Sequence, residues 1–135
     1  MGVIANTSGV IVLLDRNDKH HQAIKQIIIT AQLFIPLTIL PEVDYLATKY
    51  LGKVVSRAFL GEIIAGAFKH INLDSADIQD IAKTMTTYAD IPIRFVDASI
   101  LVLSDRHAIS HILTLDHRHF SIIRSQKSGL LTLLP

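Results

Sequence analysis

The chain has 135 residues, a net charge of +1 and no cysteine. One domain spanning residues 1–135 fits that length, and the missing cysteine excludes disulfides, thiolate metal sites and a cysteine nucleophile, as suits a reducing cytoplasm. The charge excludes a global basic field, so nucleic-acid binding needs a local patch, while a mean hydropathy of +0.41 predicts that a partner or second copy covers some apolar surface.

Residues 3–6 read as a short buried strand. Thr7 or Ser8 is a fair N-cap for a helix running to about Leu14. The apolar run 9–14 is too short to span a bilayer, and the start lacks the basic region of a secretory leader, so no membrane association is expected. Asp18 follows a turn and caps a second helix, with Ala23, Ile24, Ile27 and Ile28 on its apolar face. Residues 33–36 form a second strand. Thr38 opens a third helix, and Pro41, tolerated only in a first turn, puts Glu42 near its N-terminus. Val43, Leu46, Ala47 and Tyr50 are its predicted buried stripe. Gly52 ends it, and a fourth helix runs through Val54, Val55, Ala58, Phe59 and Ile63. Residues 70–73 form a third strand. Asp74 or Ser75 caps a fifth helix whose face is Ile78, Ile81, Ala82 and Met85. After a loop at 88–92, a sixth helix starts around Val96 or Asp97 and reaches about His107. Residues 112–115 are a fourth strand, 116–120 a polar turn and 130–134 a closing strand.

Strands alternating with helices predict an α/β/α arrangement on a mainly parallel sheet, with right-handed crossovers that gather the strand C-termini on one edge. Ligands of such folds bind at that edge. Asn6 and Asp116 both end strands there. Glu42 follows the second strand closely, and Asp97 opens the helix that leads to the fourth. Clustered carboxylates repel one another, and a hard Mg²⁺ or Mn²⁺ ion with oxygen ligands removes that conflict. Such a cage can generate a hydroxide and clamp a phosphodiester. Each residue also has a plain structural role: Asp97 as an N-cap, Asp116 in an Asx-turn, Glu42 favouring a helix dipole, Asn6 as a strand-end turn residue.

At these positions the chain resembles the PIN-domain ribonucleases, in particular the VapC-like toxins of toxin–antitoxin pairs. The segments that carry the likeness are Ala5-Asn6-Thr7-Ser8, Leu40-Pro41-Glu42-Val43, Val96-Asp97-Ala98-Ser99 and Leu113-Thr114-Leu115-Asp116-His117-Arg118-His119-Phe120. Their order and spacing carry it more than any one of them. The resemblance implies a small α/β/α sandwich and an endoribonuclease dependent on Mg²⁺ or Mn²⁺. It makes Glu42, Asp97 and Asp116 the second, third and fourth acids, and Thr7 or Ser8 the hydroxyl that supports the first. It further implies a homodimer and a cognate antitoxin. Asn6 departs from it, because the family has Asp there. A lost unit charge beside a metal is worth on the order of a few kcal/mol at moderate effective dielectric, so weak metal binding and impaired cleavage are expected. The alternative is a catalytically inactive module on the same fold that binds RNA or an antitoxin-like protein.

Arg94 and Arg118 flank matched acids and are the favoured RNA contacts; Arg106 and Arg124 are further candidates. His20, His21, His117 and His119 read either as solvated turns or as imidazoles at a metal or phosphate, and the zinc patterns are absent. No P-loop, Gly-x-Ser-x-Gly elbow or Gly-x-Gly-x-x-Gly occurs. Lys53, Arg57 and the apolar residues Phe59, Ile63, Ile64 and Phe68 fit either a wide core-facing helix or a dimer or antitoxin surface.

Overall fold

The computed structural model describes residues 1–127 and 129–135. Among these, five strands form one wholly parallel sheet in the order β3-β2-β1-β4-β7. Strand β1 (Gly2–Ala5) is central, with β2 (Gln32–Pro36) on one side and β4 (His111–Leu113) on the other; β3 (Lys69–Ile71) and β7 (Thr132–Leu134) are the edges. Successive residues of a strand face opposite sides, yet Val3, Ile4 and Ala5 are all fully buried. The sheet is therefore covered on both faces, as a parallel sheet must be. Helices α1 (Thr7–Leu14) and α2 (His21–Thr30) lead from β1 to β2. A 3₁₀ turn (Leu37–Ile39), α3 (Leu40–Leu51) and α4 (Lys53–Ile64) lead on to β3; α5 (Ser75–Thr87) and α6 (Phe95–His107) then reach β4.

Several local expectations are corrected. Asn6, not Thr7 or Ser8, caps α1: its Oδ1 accepts the Thr7 N–H at 2.8 Å. Asp18 makes a turn on the His20 N–H, so α2 begins only at His21. Tyr50 is 66% exposed rather than part of a buried stripe, because the stripe of α3 narrows to Val43 and Ala47. Ala23, Val54, Ala58, Ile78, Ala82 and Met85 likewise face solvent; only Ile81 carries the apolar anchor of α5, beside a buried Asp77. The sixth helix starts at Phe95, which puts Asp97 in its third position and not at the cap. The polar turn at 116–120 contains a short helix, α7 (His117–Phe120), capped by Asp116. The closing strand is split: β5 (Arg124–Ser125) and β6 (Gly129–Leu130) form a small antiparallel hairpin before β7.

One glycine decides how closely α1 meets the sheet. A Cβ on Gly9 would lie 2.4 Å from the Leu113 carbonyl oxygen, a collision with backbone that cannot step aside. The bare glycine lets the first turn of α1 press on the end of β4, which is already paired with the end of β1 through Ala5 and Leu113.

Candidate functional site

A cavity of about 280 Å³ opens at the carboxyl edge of the sheet, lined by Asn6, Thr7, Ser8, Glu42, Leu46, Arg94, Val96, Asp97 and Asp116. All four residues matched at the sequence level reach it, although 110 positions separate the first from the last. Local rules explain each placement. Asn6 directly follows β1 and caps α1. Glu42 sits in the first turn of α3 behind Pro41. Asp97 is held in the first turn of α6 by accepting the Arg94 N–H at 3.0 Å. Asp116 caps α7 by accepting the His119 N–H at 3.2 Å.

The lining carries three acids against one cation, Arg94. Asp97 feels the imbalance. Burial raises its carboxyl above the ordinary 3.8, the Arg94 N–H opposes this, and the charges of Asp116 and Glu42 push it further up against the pull of His119. His119 is not solvated as a plain turn residue: its Nδ1 lies 3.1 Å from Asp116 Oδ2. His117 Nε2 is 3.1 Å from the Thr114 carbonyl oxygen. Arg118 is exposed on α7 and does not line the cavity. Thr7 Oγ1 is buried with no hydrogen-bond partner, in a residue only 4% exposed, on the cavity wall.

Sequence reasoning overlooked Thr114. It is fully buried just beyond β4, and its Oγ1 meets three partners: Asn6 Nδ2 at 3.2 Å, Ser8 Oγ at 3.3 Å and the Asp116 N–H at 2.9 Å. Ser8 Oγ in turn accepts the Leu115 N–H at 2.9 Å. The signal was present as a lone hydroxyl in the apolar run 112–115, where a buried polar atom demands partners.

Three carboxylates suit a hard divalent cation, and such an ion relieves the charge crowding that raises Asp97. Asn6 does not suit it: its oxygen already accepts from Thr7 and its NH₂ occupies the remaining direction. Among the described residues no three His, Asp or Glu side chains close into a ready-made cage. A larger cavity of about 530 Å³ lies between α5, α6 and the hairpin. Its Asp74 and Asp77 both pair with Arg106, at 3.2 and 2.9 Å, so the smaller cavity, whose three acids line it with one cation, is the candidate site.

A wholly parallel α/β/α sheet whose carboxyl edge gathers acids is the architecture of the PIN domain. The chain belongs to the PIN-domain family, whose profile matches residues 4–124. It is 33% identical over 135 residues to the ribonuclease VapC26 of Mycobacterium tuberculosis, covering 98% of this chain and 100% of that one. Among solved structures it is similar in fold to the sarcin–ricin loop cleaving toxin VapC20 of M. tuberculosis, with a TM-score of 0.77 at 14% identity over 86% of this chain and 91% of the other. A toxin–antitoxin complex from Klebsiella pneumoniae matches with a TM-score of 0.61 at 25% identity, covering 90% and 92% of the two chains. Among the described residues no helix is long and apolar enough to cross a membrane.

Proposed function

We propose that this chain is the endoribonuclease toxin of a toxin–antitoxin pair, dependent on Mg²⁺ or Mn²⁺ and impaired by Asn6. The observation that carries the reading is the meeting of Asn6, Glu42, Asp97 and Asp116 on one small acidic cavity in a chain related to a VapC ribonuclease. Asp97, Asp116 and Glu42 would hold the ion directly or through its waters. A divalent ion held there would supply Lewis acidity, for lowering the pKa of a bound water and for neutralising charge on a phosphodiester.

The residues around it have their own tasks. The Arg94 N–H and the first turn of α6 fix Asp97, and α7 fixes Asp116. Arg94, on the cavity lining, would meet an RNA phosphate, with Arg118 as a further contact outside the cavity. The unpartnered Thr7 hydroxyl is a ready hydrogen-bonding group at the wall. Cytoplasmic action, a homodimer and inhibition by an antitoxin complete the proposal. Exposed Tyr45, Tyr50, Val54 and Ile64 on α3 and α4 supply apolar surface for a partner.

The test is cleavage of a mixed RNA pool with Mg²⁺ or Mn²⁺, with EDTA controls, by the chain and by its Asn6→Asp variant. Cleavage by the variant alone, stopped by EDTA, is the expected result. If neither protein cuts RNA or binds Mn²⁺, the metal-nuclease reading fails. Asn6 itself favours the second reading, a non-catalytic module that binds RNA or an antitoxin; retained Mn²⁺ binding without cleavage in both proteins selects it.

A further inference from the structure

Hydrogen-bond chemistry fixes the orientation of the Asn6 amide. The Thr7 N–H can only donate, so the Asn6 atom 2.8 Å from it is Oδ1, and the amide nitrogen is the atom 3.2 Å from Thr114 Oγ1. A hydroxyl has one proton and two lone pairs. Both lone pairs of Thr114 are taken, one by the Asn6 amide and one by the Asp116 N–H. Its proton therefore goes to the remaining neighbour, Ser8 Oγ, 3.3 Å away. Ser8 already accepts the Leu115 N–H, so its lone pairs are filled too. The chain then ends on the Ser8 proton, and Ser8 lines the acidic cavity.

We infer that residue 6 sets the direction of this hydroxyl chain: Asn6 makes Ser8 a donor to the cavity, and a carboxylate at position 6 makes Ser8 an acceptor. A carboxylate oxygen in place of the amide nitrogen brings no proton. Thr114 must then donate to it, and the lone pair so released takes the Ser8 proton. Ser8 keeps the Leu115 N–H on one lone pair and turns the other to the cavity. The change at residue 6 thus alters two groups at the site: one carboxylate charge is lost, and one serine oxygen turns its proton to where a cation would sit. Thr114 is fully buried and does not line the cavity, so it acts as a positioning residue.

This inference deepens the metal-site reading and rests on it for its consequence, but the proton positions are measurable without any metal. Neutron diffraction from deuterium-exchanged crystals of the chain and of Asn6→Asp reads them directly. The Thr114 deuteron is expected toward Ser8 in the first protein and toward the position 6 carboxylate in the second. The same position in both overturns the inference.

Mn²⁺ binding, followed by paramagnetic resonance, tests the consequence in four proteins: the chain, Ser8→Ala, Asn6→Asp and the double variant. Ser8→Ala is expected to weaken binding roughly tenfold in the Asn6→Asp background, the scale of a lost outer-shell partner. In the unaltered background it removes an opposing donor, so binding stays the same or tightens. Thr114→Ser preserves this difference by keeping the hydroxyl, and Thr114→Val abolishes it. Equal losses from Ser8→Ala in both backgrounds overturn the relay and leave the metal site standing. Failure of Asn6→Asp to bind Mn²⁺ overturns the metal site instead, and the deuteron positions still decide the relay.

Discussion

Helices α5 and α6 begin with the same device, an acid in the third helical position whose Oδ2 accepts the N–H of the residue before the helix. Asp77 takes the Asp74 N–H at 2.7 Å and Asp97 takes the Arg94 N–H at 3.0 Å. Beyond that bond the two acids differ. The Asp77 side chain is 4% exposed and faces Arg106 at 2.9 Å. Asp97 faces Asp116 and Glu42, and its carboxyl is raised. One capping geometry thus serves two ends: with its charge answered the acid ties helices together, and with its charge unanswered it remains available to a ligand. Cavity size alone points away from Asp97, since the larger space surrounds the paired acid.

The sharpest way to break this contrast is to remove the answering charge. Arg106→Met keeps most of the stem packing and leaves Asp77 buried without its cation. A fully buried pair loses about 3–5 kcal/mol on such a change; because the Arg106 side chain is 34% exposed, a loss of roughly 2–3 kcal/mol in urea unfolding is expected once solvent screening is allowed for. In an Asp77→Asn background the same substitution should cost under about 1 kcal/mol, which assigns the effect to the pair. Equal costs in both backgrounds would mean that Arg106 acts through its other contacts, the Asn72 carbonyl that it meets at 2.6 Å, Asp74 and its stem packing, and not through Asp77.

The matching change at the other helix has the opposite sign. Asp97→Asn keeps an acceptor for the Arg94 N–H and removes a charge that its neighbours resist. In EDTA near pH 7 it should leave stability unchanged or raise it by up to about 1 kcal/mol. The pH dependence follows from the raised carboxyl. Extra proton binding by the folded state favours folding fully below the ordinary value of 3.8 and is lost as pH rises through the higher folded value. Thermal melting of the metal-free chain should therefore show this contribution fading on the way up from pH 3.8, and Asp97→Asn should flatten that part of the curve. An unchanged profile would show that Asp97 is already compensated.

Much of this was legible before any coordinates. Alternation of strands and helices predicted the parallel sheet, and Pro41 placed Glu42 in a first turn because proline is tolerated only there. Carboxyl-edge logic then brought Asn6, Glu42, Asp97 and Asp116 to one cavity. Less legible were features that depend on long-range partners. Nothing local in Asp77 and Asp97 distinguishes them, since Arg106 and Asp116 reach them only through the fold. Thr114 looked like one polar residue in a strand, and its role emerges only when Asn6 and Ser8 arrive beside it from 108 and 106 positions away. Tyr50 fitted the helical period of α3 but faces solvent, with Lys49 Nζ 5.1 Å from its ring centre. Periodicity marks a face without saying how wide the covered part is.

The smallest effect comes from the other acid on Arg106. Asp74 Oδ2 lies 3.2 Å from Arg106 Nη1, but its side chain is 70% exposed. Water already solvates that carboxylate, so its pairing contributes little. Asp74 also precedes α5 as its N-cap, and asparagine serves that position about as well as aspartate. Asp74→Asn should therefore cost below about 0.5 kcal/mol, and the difference should shrink further in high salt. The buried Asp77 pair should keep its contribution under the same salt, since charges removed from water are screened much less. If Asp74→Asn instead costs as much as Arg106→Met, the exposed acid is the one that ties α6 to α5. Asp77 would then be as unanswered as Asp97, and the distinction between the two helix starts would have to come from burial rather than from pairing.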